Sequence, residues 1–224
     1  MIKRSFPSSR AAIPTRMRSV ASTWQSPSEG PAPGPSETGR REALRILAVC
    51  TANQCRSPMF EFLVRSAVQE RGLNWSVGSC GTRAATGVHM HPNTDRYLRS
   101  QGLQLEGWRT RRLTDDLLDS SHLILTATRQ HRSAILEARP DLLDRTFPIL
   151  QFASLAEACR ASGLWRPEEQ LDPEALVAAV RAVRGATQVA ANRLDLGDPV
   201  GRPYRRFQHC GKTLAQAISQ MLGD

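Results

Sequence analysis

The sequence predicts an α/β domain whose four-stranded parallel sheet is flanked by helices on both faces. Four short apolar segments have the length and composition of buried strands, and segments with helical spacing separate them. Strands that alternate with helices favour a parallel sheet with right-handed crossovers. In open sheets of this kind, ligands bind at the carboxyl ends of the strands. The predicted strands are Leu44–Val49, Trp75–Gly81, His122–Thr126 and Thr146–Leu150.

The helices are predicted from apolar spacing and from the residues that stop them. Ser57–Arg71 repeats apolar residues with a helical period, and Gly72 ends this segment. Arg129–Ala138 also has helical spacing, and we expect this helix to end before Pro140, because proline disrupts a helix. A loop rich in Gly and Pro, Gly197–Pro203, separates the last two helices. The remaining predicted helices are Pro92–Gln101, Thr114–Asp119, Ser154–Ala161, Pro173–Asn192 and Tyr204–Leu222.

Residues 1–42 differ in composition from the rest of the chain. They are rich in Pro, Ser and Gly and carry seven basic residues against three acidic ones. Such a segment does not bury enough apolar surface to offset the entropy of ordering. We therefore expect a disordered basic tail over residues 1–42 and a folded domain over residues 43–224. Two alternatives stay open: an organelle transit peptide, and a start codon placed too early, with Met17 as another candidate.

Composition excludes several classes of protein. Hydrophobic residues make up 40 % of the 224 residues, which is enough for one packed core. No apolar run approaches a membrane span, so we expect no stable membrane insertion. Five thinly spread cysteines argue against a secreted disulfide framework and favour reduced thiols in a cytoplasmic protein. The net charge of +9 accompanies no nucleic-acid motif, and we expect no nucleic-acid partner.

A single loop carries the residues from which chemistry is predicted. Cys50 is followed six positions later by Arg56, between a predicted strand and a predicted helix. The five intervening residues can form a cradle whose backbone N–H groups point at one anion, and the helix adds its positive N-terminus. Arg56 can close this cradle by a two-pronged contact with phosphoryl oxygens. The predicted substrate-binding residues are Thr51, Ala52, Asn53, Gln54, Cys55 and Ser57.

The same loop favours the thiolate form of Cys50, because a helix N-terminus and an arginine both stabilise negative charge. Ser57 can add a hydrogen bond to the sulfur, and Pro58 suits the first turn of a helix. Attack on a phosphoryl group would give a cysteinyl-phosphate that water hydrolyses. We predict a phosphatase with Cys50 as nucleophile and Arg56 as phosphoryl clamp.

Neither a cofactor nor a metal site is predicted. His89 and His91 form a His-x-His pair, but a zinc site needs more ligands than these two. We expect both histidines to lie beside the substrate mouth.

The segment Val49–Pro58 (VCTANQCRSP) resembles the phosphate-binding loop of the bacterial low-molecular-weight protein tyrosine phosphatases, and Ser79–Thr82 (SCGT) resembles a strand end of that family. The resemblance runs from about Leu44 to the C-terminus. It implies a four-stranded parallel sheet between helices and a phosphatase-like domain that hydrolyses protein phosphotyrosine. The implied partner is a phosphotyrosine protein, with bacterial tyrosine kinases as candidates. The resemblance also implies that Cys55 can form a protective disulfide with Cys50.

The resemblance further implies a general acid in an Asp-Pro pair near the C-terminus, where it protonates the leaving oxygen. The sequence offers two such pairs, Asp172-Pro173 and Asp198-Pro199. The first opens a predicted helix, where Asp and Pro are expected for structural reasons alone. The second lies in a Gly-rich loop before the last helix, as it does in the family. We assign the general acid to Asp198, with Asp195 as the fallback.

Three features depart from the family pattern. Ala52 replaces the usual glycine, so a slightly altered loop backbone is expected. Gln54 stands where family members often carry a larger or apolar residue. Val200 and Gly201 follow the second Asp-Pro pair, where aromatic residues commonly flank the substrate ring. This last departure bears on the preference for phosphotyrosine more than on catalysis.

Two other functions stay open on the sequence. Thioredoxin-coupled arsenate reductases share this loop, but they typically carry two further cysteines close together, whereas Cys80, Cys159 and Cys210 are far apart. A non-catalytic phosphoprotein binder would usually have lost the nucleophile, the arginine or the acid, and all three are present. Phosphatase chemistry is therefore the favoured interpretation.

Overall fold

The computed structural model describes residues 42–167, 173–187 and 194–223. The predicted tail up to residue 41 and the candidate acid Asp172 lie outside these ranges. Glu42, the last residue of the predicted tail, forms an ion pair with Arg45 at the start of the first strand. Within the described ranges, no helix has the length and apolar character that crossing a membrane requires.

The four strands form one parallel sheet, which confirms the predicted fold class. They are β1 (Leu44–Cys50), β2 (Trp75–Gly81), β3 (Leu123–Thr126) and β4 (Thr146–Pro148). Their order across the sheet is β2-β1-β3-β4, so β1 is a central strand. At its carboxyl end, Cys50 is paired with Gly81 of β2. The predicted nucleophile therefore lies at the edge of the sheet where ligands are expected.

Within the described ranges, seven α-helices and a 3-10 helix at Pro140–Arg145 surround this sheet. The 3-10 helix was not predicted. The α-helices are α1 (Arg56–Glu70), α2 (Pro92–Ser100), α3 (Asp115–Asp119), α4 (Arg129–Ala138), α5 (Ile149–Ala161), α6 (Pro173–Arg184) and α7 (Tyr204–Leu222).

Three predicted boundaries were wrong by two residues or more. The predicted strand Thr146–Leu150 ends at Pro148, and α5 begins at Ile149 instead of Ser154. The apolar residues at this junction fit a strand end and a buried helix start equally well, so their pattern alone could not place the boundary. The helix predicted as far as Asn192 ends at Arg184, before a turn that contains Gly185. Residues 188–192 of that prediction lie outside the described ranges.

The two faces of the sheet carry separate apolar cores. Along β1, Ile46 and Ala48 point to one face, and Leu47 and Val49 point to the other. The first face packs against α1, α2, α5, α6 and α7, and the second packs against α3, α4 and the 3-10 helix. A strand that is apolar on both faces is typical of the centre of a parallel sheet. The end of β1 is therefore held from both sides.

Helix α7 approaches α2 closely because Gly211 has no side chain. A Cβ at this position would lie 2.1 Å from the ring of Tyr97. Near the start of α7, the guanidinium of Arg96 lies 4.2 Å from the ring centroid of Tyr204. Both contacts tie α7 to α2, and they help to place the segment 194–203 that precedes α7.

Candidate active site

The loop after β1 runs from Thr51 to Cys55 and leads directly into α1. Asn53 has φ 55°, and it is the only non-glycine residue with positive φ in the described part of the chain. Asparagine tolerates this left-handed region better than most residues. Ala52 lies outside the region, so the replacement of glycine there introduces no left-handed strain.

The side chain of Asn53 braces the loop from within. Its Nδ2 group donates to Ser57 Oγ at 2.9 Å and to Ser79 Oγ at 2.8 Å, and its Oδ1 accepts from the Arg111 backbone N–H at 2.8 Å. The side chains of Asn53, Ser57 and Ser79 are buried. A buried network whose members are paired holds its geometry rigidly. Because the side chain is occupied, the backbone of Asn53 is the part that can contact a substrate.

Glu61 extends this network beneath the loop, and the sequence analysis missed it. Its carboxylate accepts from Ser79 Oγ and from Trp108 Nε1 at 3.1 Å, and it pairs with Arg65 at 2.6 Å. The residue is only 1 % exposed, so the buried charge needs these partners. Arg65 lies one turn from Glu61 on α1, whereas Ser79 and Trp108 come from distant segments that only the fold brings to this carboxylate.

Helix α1 begins without a side-chain cap at its N-terminus. Arg56, Ser57 and Pro58 are buried in its first turn. The first N–H groups of a helix lack intrahelical partners, and together with the helix dipole they favour an anion. The start of α1 is therefore suited to hold a phosphoryl group above the loop.

Cys50 lies at the base of the loop. Its Sγ atom is 3.0 Å from Ser57 Oγ, and this hydroxyl also donates to the Cys80 carbonyl oxygen at 3.2 Å. Asn53 donates to the same hydroxyl oxygen. The single proton of Ser57 can therefore turn from the carbonyl to the sulfur when Cys50 is a thiolate.

Arg56 connects the loop to the segment before α7. Its Nη2 group donates to Asp198 Oδ2 at 2.6 Å, and Nη1 donates to the Leu196 carbonyl oxygen at 3.5 Å. The Leu196 N–H in turn donates to the Ala127 carbonyl just after β3, at 2.8 Å. The Arg56 side chain is buried, whereas that of Asp198 is 46 % exposed. The structure thus brings the predicted residues Cys50, Arg56 and Asp198 to one end of the sheet.

Asp195, the fallback acid, has a different environment. Its Oδ1 accepts from the Arg129 backbone N–H at 2.7 Å, and its Oδ2 accepts from Arg129 Nη2 at 3.0 Å. The hydrogen bonds from Arg129 lower the pKa of Asp195, so this carboxyl is a poor proton donor. Asp195 ties the segment to the start of α4, and Asp198 is the carboxyl that contacts Arg56.

The last two loop residues differ in exposure. Gln54 is partly buried, and its carbonyl oxygen accepts from the His91 N–H at 3.0 Å. Cys55 is buried, and burial raises the pKa of its thiol to about 12, so it is a neutral thiol. All five cysteines are free thiols in this structure. The disulfide between Cys50 and Cys55 stays a prediction.

His91 has a structural role next to the loop. Its Nδ1 accepts from the Asn93 N–H at 3.1 Å, which caps α2, and its ring stacks on Phe207 with centroids 4.7 Å apart. His89 is exposed. Among the residues that the structure describes, no three His, Cys, Asp or Glu side chains form a group suited to a metal ion.

His131 of α4 is a site residue that the sequence analysis missed. Its Nε2 atom is 2.8 Å from Thr51 Oγ1, and its Nδ1 atom is 2.6 Å from Thr128 Oγ1. Burial, and to a smaller extent the charge of Arg56, lowers the pKa of His131 to about 4, so the ring is neutral near pH 7. In the sequence, the one feature that could have pointed to His131 is its position shortly after β3, because the carboxyl end of that strand lies at the same edge of the sheet as the loop.

The fold and the loop together are those of a phosphate-binding α/β protein. The model of the low molecular weight phosphotyrosine protein phosphatases matches residues 45–161, which is about half of the chain. The chain therefore belongs to the low molecular weight phosphotyrosine protein phosphatase family. This confirms the resemblance seen in the loop.

Relatives within the family carry two kinds of name. The chain is 32 % identical over 109 residues to a protein-arginine-phosphatase of Bacillus subtilis (strain 168), covering 49 % of this chain and 72 % of the relative. It is 29 % identical over 117 residues to the low molecular weight protein-tyrosine-phosphatase PtpA of Staphylococcus epidermidis, covering 51 % and 75 %. Both alignments span most of the relative.

Solved structures agree with the fold. The YwlE arginine phosphatase from Geobacillus stearothermophilus matches with a TM-score of 0.59 and 25 % identity, over 80 % of this chain and 91 % of that one. A low molecular weight protein tyrosine phosphatase from T. tengcongensis matches with a TM-score of 0.61 and 21 % identity, over 81 % and 99 %. At the latter identity the likeness concerns the fold alone.

The first prediction concerns Gly81, which lets the loop rest on β2. A Cβ on Gly81 would lie 2.5 Å from the Thr51 carbonyl oxygen and 2.7 Å from the Asn53 nitrogen, so the loop backbone would have to move. We expect Gly81→Ala to weaken inorganic phosphate binding by about 10- to 100-fold, as misplacement of a binding group does. Titration calorimetry measures this change. Gly185→Ala is the control, since its added Cβ meets nothing within 4 Å. Equal affinities in the two variants would contradict the prediction.

The second prediction concerns the pH dependence of stability. His131 has a folded-state pKa of about 4, below the ordinary value of 6.5, so the unfolded chain binds a proton that the folded chain does not. The free energy of unfolding should therefore fall as the pH drops through this range, by up to about 3 kcal/mol. His131→Gln should reduce this fall, as measured by urea unfolding between about pH 4 and pH 7. The exposed His209 provides the control variant His209→Gln. Identical pH profiles for wild type and His131→Gln would refute the assignment.

Proposed function

We propose that the protein hydrolyses phosphorylated protein side chains through a cysteinyl-phosphate intermediate. The observation that carries the proposal is the contact of Arg56 with Asp198 at 2.6 Å, in a site whose base is Cys50. The Cys50 sulfur is in hydrogen-bond distance of Ser57. A nucleophile, a phosphoryl clamp and a carboxylic acid thus lie at one site.

The residues suggest two chemical steps. In the first, Arg56 exchanges its contact with Asp198 for phosphoryl oxygens, and the Cys50 thiolate attacks phosphorus. The bond between phosphorus and the leaving group breaks, and protonated Asp198 gives its proton to the leaving atom. In the second, the Asp198 carboxylate takes a proton from water, the water oxygen attacks phosphorus, and Cys50 leaves as a thiolate. Ser57 can donate a hydrogen bond to this sulfur.

Protein phosphotyrosine is the first proposed substrate. The family match and the relatives named as tyrosine phosphatases support it. A tyrosine-phosphorylated protein, including an autophosphorylated bacterial tyrosine kinase, fits this description. The five free thiols support the cytoplasm as the compartment in which the protein acts.

Protein phosphoarginine is the second candidate, and two observations favour it. Relatives from Bacillus subtilis and Geobacillus stearothermophilus, 32 % and 34 % identical, are named protein-arginine-phosphatases. In addition, the exposed residues Val200 and Gly201 follow Pro199, where aromatic side chains would flank a tyrosine ring. A guanidinium leaving group presents no aromatic ring and needs no such flank.

Arsenate reduction has less support. It would require further thiols that carry a disulfide away from Cys50. Cys80, Cys159 and Cys210 are buried in β2, α5 and α7. Burial raises the pKa of the Cys210 thiol to about 12, which makes it a poor nucleophile.

The third prediction tests the mechanism with p-nitrophenyl phosphate. Cys50→Ser should abolish turnover and retain binding of phosphate or vanadate, because the loop and Arg56 remain. Asp198→Ala should lower kcat by about 10²- to 10⁴-fold for phenyl phosphate, which has a poor leaving group, and by less for p-nitrophenyl phosphate, whose leaving group is activated. Asp195→Ala is the matched comparison, because its carboxylate pairs with Arg129. Full activity in Cys50→Ser would refute the mechanism, and a larger loss in Asp195→Ala would move the acid role to that residue.

The fourth prediction separates the two substrates. A pair of peptides with one sequence, carrying either phosphotyrosine or phosphoarginine, is assayed with the wild type and with Cys50→Ser. We expect a higher kcat/KM for phosphotyrosine and no turnover of either peptide by the variant. A higher kcat/KM for phosphoarginine would establish the second candidate. The phosphoarginine peptide also hydrolyses without catalysis. The rate measured with Cys50→Ser gives this background, which is subtracted from the wild-type rate.

A further inference from the structure

Resting on the proposed function, we propose that His131 is a positioning residue that directs the hydroxyl proton of Thr51 to the phosphoryl group. Thr51 would then act as a side-chain donor to phosphoryl oxygens, in addition to the backbone amides of the loop. The inference comes from a chain of hydrogen bonds that joins α4 to Arg56 through this threonine.

Thr51 occupies a position from which its hydroxyl can reach a bound phosphoryl group. It directly follows Cys50, and its Oγ1 atom is 3.5 Å from Arg56 Nη2, the same nitrogen that holds Asp198. On its other side, Oγ1 is 2.8 Å from His131 Nε2. The hydroxyl therefore lies between the imidazole and the guanidinium that would hold the phosphoryl oxygens.

The hydrogen bonds of Thr128 indicate which ring nitrogen of His131 carries the proton. The Thr128 hydroxyl oxygen accepts from the His131 backbone N–H at 3.3 Å, as the cap of α4, and lies 2.6 Å from His131 Nδ1. If the Thr128 hydroxyl donates to Nδ1, the ring proton lies on Nε2. In the opposite tautomer the ring proton lies on Nδ1 and points at the Thr128 hydroxyl. Thr51 would then donate its own proton to Nε2, and the Thr128 proton would have no acceptor among these contacts.

The proton on Nε2 decides what Thr51 can do. His131 Nε2–H and Arg56 Nη2–H then both donate to Thr51 Oγ1, and they occupy the two acceptor positions of a hydroxyl. The remaining O–H proton is available for a phosphoryl oxygen. Burial keeps the ring neutral, with a pKa of about 4, in the presence of Arg56, Asp198 and Asp195. A neutral ring can accept at Nδ1 from Thr128 and donate from Nε2 to Thr51, whereas a charged ring would donate at both nitrogens.

Two substitutions of His131 separate this role from a structural one. His131→Gln places an amide near the former Nε2 and keeps a donor for Thr51, whereas His131→Asn places its amide near the former Nδ1 and keeps only the contact with Thr128. We expect His131→Asn to lower kcat for p-nitrophenyl phosphate by about tenfold and His131→Gln to retain most of it. A purely structural role would give both variants equal kcat, or the reverse order. Thermal unfolding of both variants shows whether a loss of kcat follows a loss of fold.

Substitutions of Thr51 complete the test. Thr51→Val keeps the shape and removes the hydroxyl, and it should lower kcat by about 10- to 100-fold, whereas Thr51→Ser should retain most of the activity. The double variant Thr51→Val/His131→Asn should lose no more kcat than Thr51→Val alone, because His131 acts through Thr51. Wild-type kcat in Thr51→Val, or independent losses in the double variant, would overturn the inference.

Two further measurements fix the interpretation. The nitrogen chemical shifts of the His131 ring should show a protonated Nε2 and an unprotonated Nδ1 near pH 7, and the opposite pattern would overturn the inference. Cys50→Ser is run in the same assay. Turnover by this variant would refute the proposed function, whereas an inactive Cys50→Ser together with an unaffected Thr51→Val would refute the role of Thr51 alone.

Discussion

The left-handed turn at Asn53, held by the hydrogen bonds of its own side chain, is the constraint on which the site depends. The turn reverses the chain between β1 and α1, so that the loop closes over Cys50. Its Nδ2 and Oδ1 atoms reach Ser57, Ser79 and the backbone of Arg111, which belong to three separate parts of the chain. A loop held in this way is formed before a ligand arrives, and its N–H groups need little reorganisation to bind an anion. Glu61 adds a buried charge whose partners make the same arrangement hard to rearrange.

A second constraint brings the end of the chain to the loop. Asp198 and Leu196 meet the guanidinium of Arg56, and the Leu196 N–H is bonded to the end of β3. The residue that would bind the phosphoryl group is thus also the residue that contacts the proposed acid, Asp198. If Arg56 Nη2 leaves Asp198 to bind a phosphoryl oxygen, the carboxyl group of Asp198 loses this partner. Substrate binding would therefore free Asp198 for proton transfer. His131 contributes a neutral group beside this charged pair, so it does not compete for Asp198.

The sequence predicted the parts of this site that are local in the chain. The loop from Cys50 to Arg56, the strand before it and the helix after it follow from apolar spacing and from one short motif, and the strand and helix boundaries agree with the prediction to within one residue. Asp198 is distant in the chain and was assigned from the family resemblance, whereas Glu61 and His131 escaped prediction. Glu61 and His131 lie in helices, where a buried polar side chain cannot be told from a surface one by periodicity. The start of α5 was misplaced for a related reason, since Ile149 suits a strand and a buried helix equally.

We expect substrate choice to depend on the residues around the mouth of the site more than on those at its base. At the base, Cys50 and the loop backbone would meet only the phosphoryl group, and Ser57 and the Asn53 side chain brace them from within, so none of them distinguishes the side chain that carries the phosphate. Gln54 of the loop is partly buried, and Val200, two residues after Asp198, is 52 % exposed. Neither supplies the aromatic surface that would favour a tyrosine ring by stacking. Relatives named for arginine and for tyrosine substrates occur in this one family, so the phosphoryl site alone does not indicate which side chain carries the phosphate.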